Sequence, residues 1–319
     1  MLSRDADSLY WMSRYLERAE HTARLIDVNV VLMLDQSPAQ ATERWTRLLA
    51  SLHTPPPEYG ADDPRAITGL LAFDRSNRTS IIASIEAARN NARQVRELIS
   101  SEMWEQINHL FLRISRANID DIWNTQPHAF FRSVRDGTHL FQGIADATMS
   151  RGEGWQFMEV GRFIERASKT AALLDTYFPD YLRERERRDY VSDYLDWVGL
   201  LKSRTAFEAY CQVYTADVRP ERIAEFLLLN ADFPHTVRFS VERIQAGLEA
   251  IGRANRTRNA GAVERLAGRM RAELEYAQID DIMVGDMHAY LRNIEDRCDE
   301  IHAMVHQIYH APPLESILG

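Results

Sequence analysis

Cysteine is nearly missing from this chain: 319 residues contain two, Cys211 and Cys298. Neither stands in a metal-ligand spacing, so no disulfide framework and no thiolate metal site is expected, and a reducing compartment fits. Glycine (14) and proline (11) are also scarce, and strand-like alternation is hard to find, which turns the reading away from sheets. Long apolar runs are lacking too. The longest, such as VVLML at 30–34, falls far short of the roughly 20 residues that cross a bilayer. The N-terminus, MLSRDADSLYW, lacks the apolar stretch of a secretory signal, so the cytoplasm is the expected location. Positive charge is in deficit, with 38 Lys and Arg against 47 Asp and Glu. A net charge of −9 disfavours nonspecific nucleic-acid binding. No P-loop, GxGxxG, GxSxG or HExxH occurs, so none of those phosphate, dinucleotide, serine or zinc chemistries is signalled.

What is present is apolar spacing of 3 and 4, in a chain that is 45% hydrophobic and 27% charged. Those proportions suit a folded soluble protein, and the spacing predicts an all-α bundle. A first helix is expected from about Asp7 to Leu34, with Leu9, Met12, Leu16, Ala19, Ala23 and Ile26 as its apolar stripe and Ser3, Asp5 or Asp7 as cap. Further helices are expected at about 40–52, 65–73, 77–101, 102–117, Pro127 to Ser150, 155–176, 189–215, 219–229, 234–255, 260–277 and 286–310. The charged run RERERRD (183–189) reads as a solvated face or turn.

The chain also repeats itself. YWMSRYLERAEHTARLID (10–27) aligns without gaps on MEVGRFIERASKTAALLD (158–175). The identities are Arg14/Arg162, Glu17/Glu165, Arg18/Arg166, Ala19/Ala167, Thr22/Thr170, Ala23/Ala171, Leu25/Leu173 and Asp27/Asp175, where chance would give about one. IDDIWNTQPHAFFRSVRD (119–136) aligns likewise on IDDIMVGDMHAYLRNIED (279–296), pairing Asp120/Asp280, Asp121/Asp281, His128/His288 and Arg132/Arg292. Weaker echoes between them, ITGLLAFD (67–74) and IAEFLLLN (223–230), keep the same order. The expected architecture is therefore a tandem pseudo-two-fold duplication, 1–148 and 149–319, packed as one compact unit.

The repeated charges are the candidate site. Arg14, Glu17, Arg18 and His21 share one helix face, and Arg162, Glu165, Arg166 and Lys169 repeat it. A carboxylate flanked by guanidinium groups either locks helix packing or orients arginines toward an anionic ligand. Each glutamate is expected to accept from an arginine of its own face, or from across the halves. Secondary candidates are Asp120, Asp121, Asp280 and Asp281, with His128 and His288. Facing aspartate pairs hold Mg²⁺ and diphosphate in some all-α transferases, but DDxxD spacing is lacking, and IDDI reads better as a cap before a helix. His302, His306 and His310, spaced by four, read as polar residues ending a helix. No metal and no cofactor is expected.

The opening MLSRDADSLYWMSRYLERAEHTARLID resembles the alpha-E family, α-helical proteins with Glu-Arg motifs. NNARQVRELISSEMWEQIN (90–108), MSRGEGWQFMEVGRFIERASKTAALLD (149–175) and LLLNADFPHTVRFSVERI (227–244) carry the same resemblance. The family's Glu-Arg pairs map onto Glu17/Arg18 and Glu165/Arg166. The resemblance implies a circularly permuted ATP-grasp carboxylate–amine ligase as partner, often with a transglutaminase-like peptidase nearby. It implies a substrate-binding or scaffold subunit of a peptide- or amide-forming system. The alternatives are an enzyme whose catalytic cleft is the symmetric Glu/Arg face, and a metal- and diphosphate-dependent transferase.

Overall fold

Capping side chains start several of the helices where the sequence breaks its apolar period. The computed structural model describes residues 1–33, 37–178, 190–215, 217–255 and 260–310. Among these no strand occurs, and the fold is all-α. The helices are α1 (Ser3–Leu32), α2 (Pro38–Ser51), α3 (Pro64–Ala72), α4 (Ile81–Gln94), α5 (Ser101–Ser115), α6 (Ile119–Asn124), α7 (Pro127–Thr148) and α8 (Glu153–Asp175). There follow α9 (Tyr190–Ser203), α10 (Phe207–Tyr214), α11 (Pro220–Leu229), α12 (Val237–Asn255), α13 (Ala260–Tyr276), α14 (Ile279–Val284) and α15 (Met287–Val305). A π-helical turn, His306–His310, continues α15. Ser37 closes a capping box with Gln40 ahead of Pro38, and Asp63, Ser80, Ser100 and Asn118 accept backbone N–H bonds at their own helix starts.

Four expectations need correcting. IDDI does not cap a following helix: each copy forms a six-residue helix of its own, α6, which Asn118 caps, and α14. The segment 189–215 is two helices, because Thr205 takes a left-handed φ of 53° between α9 and α10. The segment 77–101 narrows to α4, since Asn77–Ser80 is spent on a turn and a cap. Leu2, not Ser3, Asp5 or Asp7, sits at the first N-cap. The run 183–189 lies outside the described residues.

The centre of the molecule is α1 lying against α8. On α1 pack α4 and α7; on α8 pack α12 and α15. Leu9, Met12, Leu16, Ala19, Ala23 and Ile26 are all buried, as their spacing predicts. Each large aliphatic so placed contributes about 1.5–3 kcal/mol. The two central helices come very close at one point. A Cβ on Gly161 would lie 2.4 Å from the Tyr10 carbonyl oxygen, so only glycine permits this crossing.

Local contacts recur along the chain. Asp74 Oδ1 accepts from Ser76 N (2.8 Å), and Ser80 Oγ donates to Asp74 O (2.6 Å) while capping Ala83 N (3.2 Å). Asn230 Oδ1 accepts from Asp232 N (2.9 Å), and Thr236 Oγ1 donates to Asn230 O (2.6 Å) while capping Phe239 N (3.2 Å). Helices α2 and α9, each of 14 residues, are followed by a non-glycine residue at left-handed φ, His53 (52°) and Thr205 (53°).

Candidate functional site

The two Glu-Arg faces meet each other. Arg18 Nε donates to Glu165 Oε1 (2.7 Å), and its second nitrogen donates to Oε2 (3.0 Å). Arg14 Nε adds a bond to Glu165 Oε2 (2.9 Å). In return Arg166 Nε and Nη2 donate to Glu17 Oε1 and Oε2 (2.6 and 2.7 Å), and its Nη1 to Pro234 O (3.1 Å). Each motif's arginine thus forks onto the other motif's glutamate. Neighbouring residues point about a quarter-turn apart on a helix, so Glu17 and Arg18 cannot face one another and their partners come from across the seam. Glu17 and Glu165 are each 1% exposed. Burial alone would raise the Glu165 pKa, but Arg18 and Arg14 outweigh it and hold the carboxyl far below the usual range.

The flanks of the two faces differ. His21 is buried, and its Nδ1 lies 2.7 Å from Arg204 Nη1, while Arg204 Nη2 reaches His235 Nδ1 (3.2 Å). A guanidinium only donates, so His21 Nδ1 accepts; the proton then sits on Nε2, which is buried with no partner among the described residues. Burial, with Arg204 and Lys169 beside it, pushes the His21 pKa well down and keeps the ring neutral. Burial also lowers Arg204 to about 10, partly offset by Glu17 and Glu20. Lys169, the counterpart of His21, has no hydrogen bond or ion pair among the described residues; burial lowers its pKa against the pull of Glu165. Arg162 turns aside to Glu159 (2.5 Å) and Gln142 (3.2 Å) instead of following Arg14 across the seam.

A family model described as a predicted alpha-helical domain with a conserved ER motif, Alpha-E, matches residues 1–310. The chain belongs to the Alpha-E family. It is similar to uncharacterized protein Mb2597 of Mycobacterium bovis, 23% identical over 319 positions that cover 90% of this chain and 35% of the relative. It is similar to uncharacterized proteins MT2643 and Rv2567 of Mycobacterium tuberculosis at 23% and 22% identity, with the same coverage. The Alpha-E chain therefore spans about a third of the length of these curated relatives. No solved structure matches it.

The secondary candidates of this Alpha-E chain separate. Asp120 pairs with Arg65 on the surface, and Asp121 accepts from Asn118 Nδ2 (2.5 Å). Helix α6 packs on α3 and α7, whereas α14, with Asp280 and Asp281, packs on α11 and α15. The four aspartates do not converge, and no cluster of three metal-ligating side chains occurs among the described residues. His302 instead pairs with Tyr10 through Nδ1 (2.8 Å) and stacks on its ring.

His128 and His288 gain partners that the sequence reading passed over. His128 Nδ1 lies 2.7 Å from Asp27 Oδ1, and His288 Nδ1 lies 2.7 Å from Asp175 Oδ1. Asp27/Asp175 and His128/His288 were each paired identities of the repeats, which was the available signal. Each dyad borders a groove. The first, about 330 Å³, lies among α1, α7 and the α9–α10 corner, lined by Arg24, Val28, Val31, Arg135, Lys202 and Glu208 beside the dyad. The second, about 890 Å³, lies among α8, α15 and α2, lined by Arg47, His53, Ala172, Asp286 and Arg292 beside the dyad.

Proposed function

We propose that this Alpha-E chain is a substrate-binding or scaffold subunit of an ATP-grasp-associated peptide- or amide-forming system, with bond formation supplied by the ligase partner. The observation that supports this best is how the Glu-Arg charges are spent. Both carboxylates are saturated by guanidinium groups from the opposite helix, inside the α1–α8 seam. A carboxyl held as strongly in its anionic form as Glu165 is a poor proton acceptor near neutral pH. That weighs against the alternative in which Glu17 or Glu165 acts as base in a symmetric cleft. The dispersed aspartates weigh against a diphosphate transferase. We read the repeated contacts as the trace of tandem copying, with 1–148 and 149–319 acting as one rigid platform. The mycobacterial relatives, nearly three times as long as the matched region, fit a platform that is joined to other functional segments.

The test is reconstitution. The chain is co-expressed with the circularly permuted ATP-grasp ligase of its own genome and followed by size exclusion and by ADP release. Co-elution, with ADP release from a carboxylate and an amine exceeding that of ligase alone, is the expected result. Turnover by the Alpha-E chain without ligase, or no association at low salt, overturns the proposal.

A further inference from the structure

We propose that the two Asp–His grooves are a matched pair of binding sites for zwitterionic peptide ends, ligands that carry an N–H donor and a carboxylate a short distance apart. This rests on reading the chain as a binding subunit and names what that subunit holds.

The dyads set the chemistry at one end. A carboxylate accepts and does not donate, so Asp27 and Asp175 draw the imidazole proton to Nδ1. In the neutral ring Nε2 is then a bare acceptor. No other hydrogen bond among the described residues engages the Nε2 of His128 or His288, and both rings are more than half exposed at their grooves (58% and 60%). The Asp–His bond by itself would also tie the start of α7 to the end of α1, and of α15 to α8. A tie alone does not require the free edge of each ring to border a groove.

The remaining linings carry both signs. In the first groove Arg24 is held by Glu20 and Arg135 by Asp27, which leaves Lys202 and Glu208 as the charges without an ion pair among the described residues. In the second Arg47 is held by Asp196 and His53 by Glu295, which leaves Arg292, half exposed and 3.5 Å from Glu295, together with Asp286. A site for a plain anion or a plain cation would be one-signed. Two grooves from different elements that share an acceptor ring with its acid, one further cation (Lys202, Arg292) and one further acid (Glu208, Asp286) fit a ligand with both charges. They differ in size and in their walls. Val28, Val31 and Leu32 give the smaller groove an apolar side, whereas Thr46 and Thr176 make the larger one polar. The first then suits a small apolar residue, the second a longer polar one.

The probe is glycylglycine, with N-acetylglycylglycine and glycylglycinamide as controls that remove one charge each. Binding to the full chain is followed by calorimetry and by the imidazole nitrogen resonances of His128 and His288. Asp27→Asn and Asp175→Asn keep size and a hydrogen bond but turn the imidazole to the opposite tautomer, making Nε2 a donor. Expected are two sites in the native chain, one in each Asn variant and none in the double variant. Both controls should bind about 10-fold more weakly or worse, which is about 1.4 kcal/mol. If an Asn variant fails to fold, the exposed substitutions His128→Gln and His288→Gln repeat the test. The proposal is overturned if glycylglycine shifts neither histidine, if binding survives the double variant, or if the controls bind equally. Ligase association without peptide binding also overturns it, while leaving the scaffold reading standing.

Discussion

Removing Glu17 alone should cost more than removing Glu17 and Arg166 together would lead one to expect. Glu17→Met replaces the carboxylate with a side chain of similar length, so little cavity is opened. It leaves Arg166 Nε and Nη2, now bonded at 2.6 and 2.7 Å, with no acceptor, and only the Nη1 bond to Pro234 O remains. Arg166 is 6% exposed, so water cannot replace the lost partner. Breaking a buried pair in this way costs about 3–5 kcal/mol. For a protein of this size that lowers Tm by about 4–8 °C. Arg166→Met should cost a similar amount by stranding Glu17. In the double variant neither charge is left behind, and an apolar pair in the same space is often neutral or better. The cycle, read by urea unfolding and by melting, should therefore show strong non-additivity, with the double variant near the native chain against a summed loss of about 6–10 kcal/mol from the two singles. A single Glu17→Met within about 0.5 kcal/mol of the native chain, or additive losses, would refute the claim that these charges lock the seam.

Gly161→Ala should destabilise by about 1–3 kcal/mol or more, because its methyl would sit 2.4 Å from the Tyr10 carbonyl; unchanged melting would mean that the helices separate freely. Stability should fall as pH drops below about 6.5, since His21 stays neutral in the folded chain while the unfolded chain takes up the proton. That histidine contributes a slope of about 1.4 kcal/mol per pH unit, and His21→Gln should remove its share in urea titrations, leaving the share of buried His235, whose pKa is lowered likewise by burial and by Arg166 and Arg204. Stability should fall further below about 4.5, where the unfolded chain protonates Glu165 while the folded chain, through Arg18 and Arg14, keeps it ionised. A thiol reagent at mild alkaline pH should label Cys211 and spare Cys298, which is fully buried and whose pKa burial pushes up to about 12. Labelling of both at equal rates counts against that packing.

The sequence made the helices legible wherever an apolar period ran beside a cap, as it does along α1 and at Ser37-Pro38. It hid the break between α9 and α10, because Thr205 takes a left-handed φ with no glycine or proline to announce it. It showed that Glu17/Arg18 and Glu165/Arg166 were built twice, but not that each would bond the other copy. That exchange depends on how closely α1 meets α8, which the packing at Gly161 permits. The dyads were hidden by distance: 101 residues separate His128 from Asp27, and 113 separate His288 from Asp175. Arg204 carried no signal at all, since the echoing helix end has Leu52 in its place.

Arg44 and Asp196 each lie six residues past the start of a 14-residue helix, α2 and α9, and they pair with one another while Arg47 braces the same carboxylate (2.6 Å). One register position thus carries a base in the earlier helix and an acid in the later. Joined to a duplicate of itself, the earlier segment would set arginine against arginine, and the later one aspartate against aspartate. Only the unlike combination neutralises this spot. An α2 laid on another α2, or an α9 on another α9, would bury like charges where no solvent is available to soften them, so this spot fixes which helix each one accepts as neighbour.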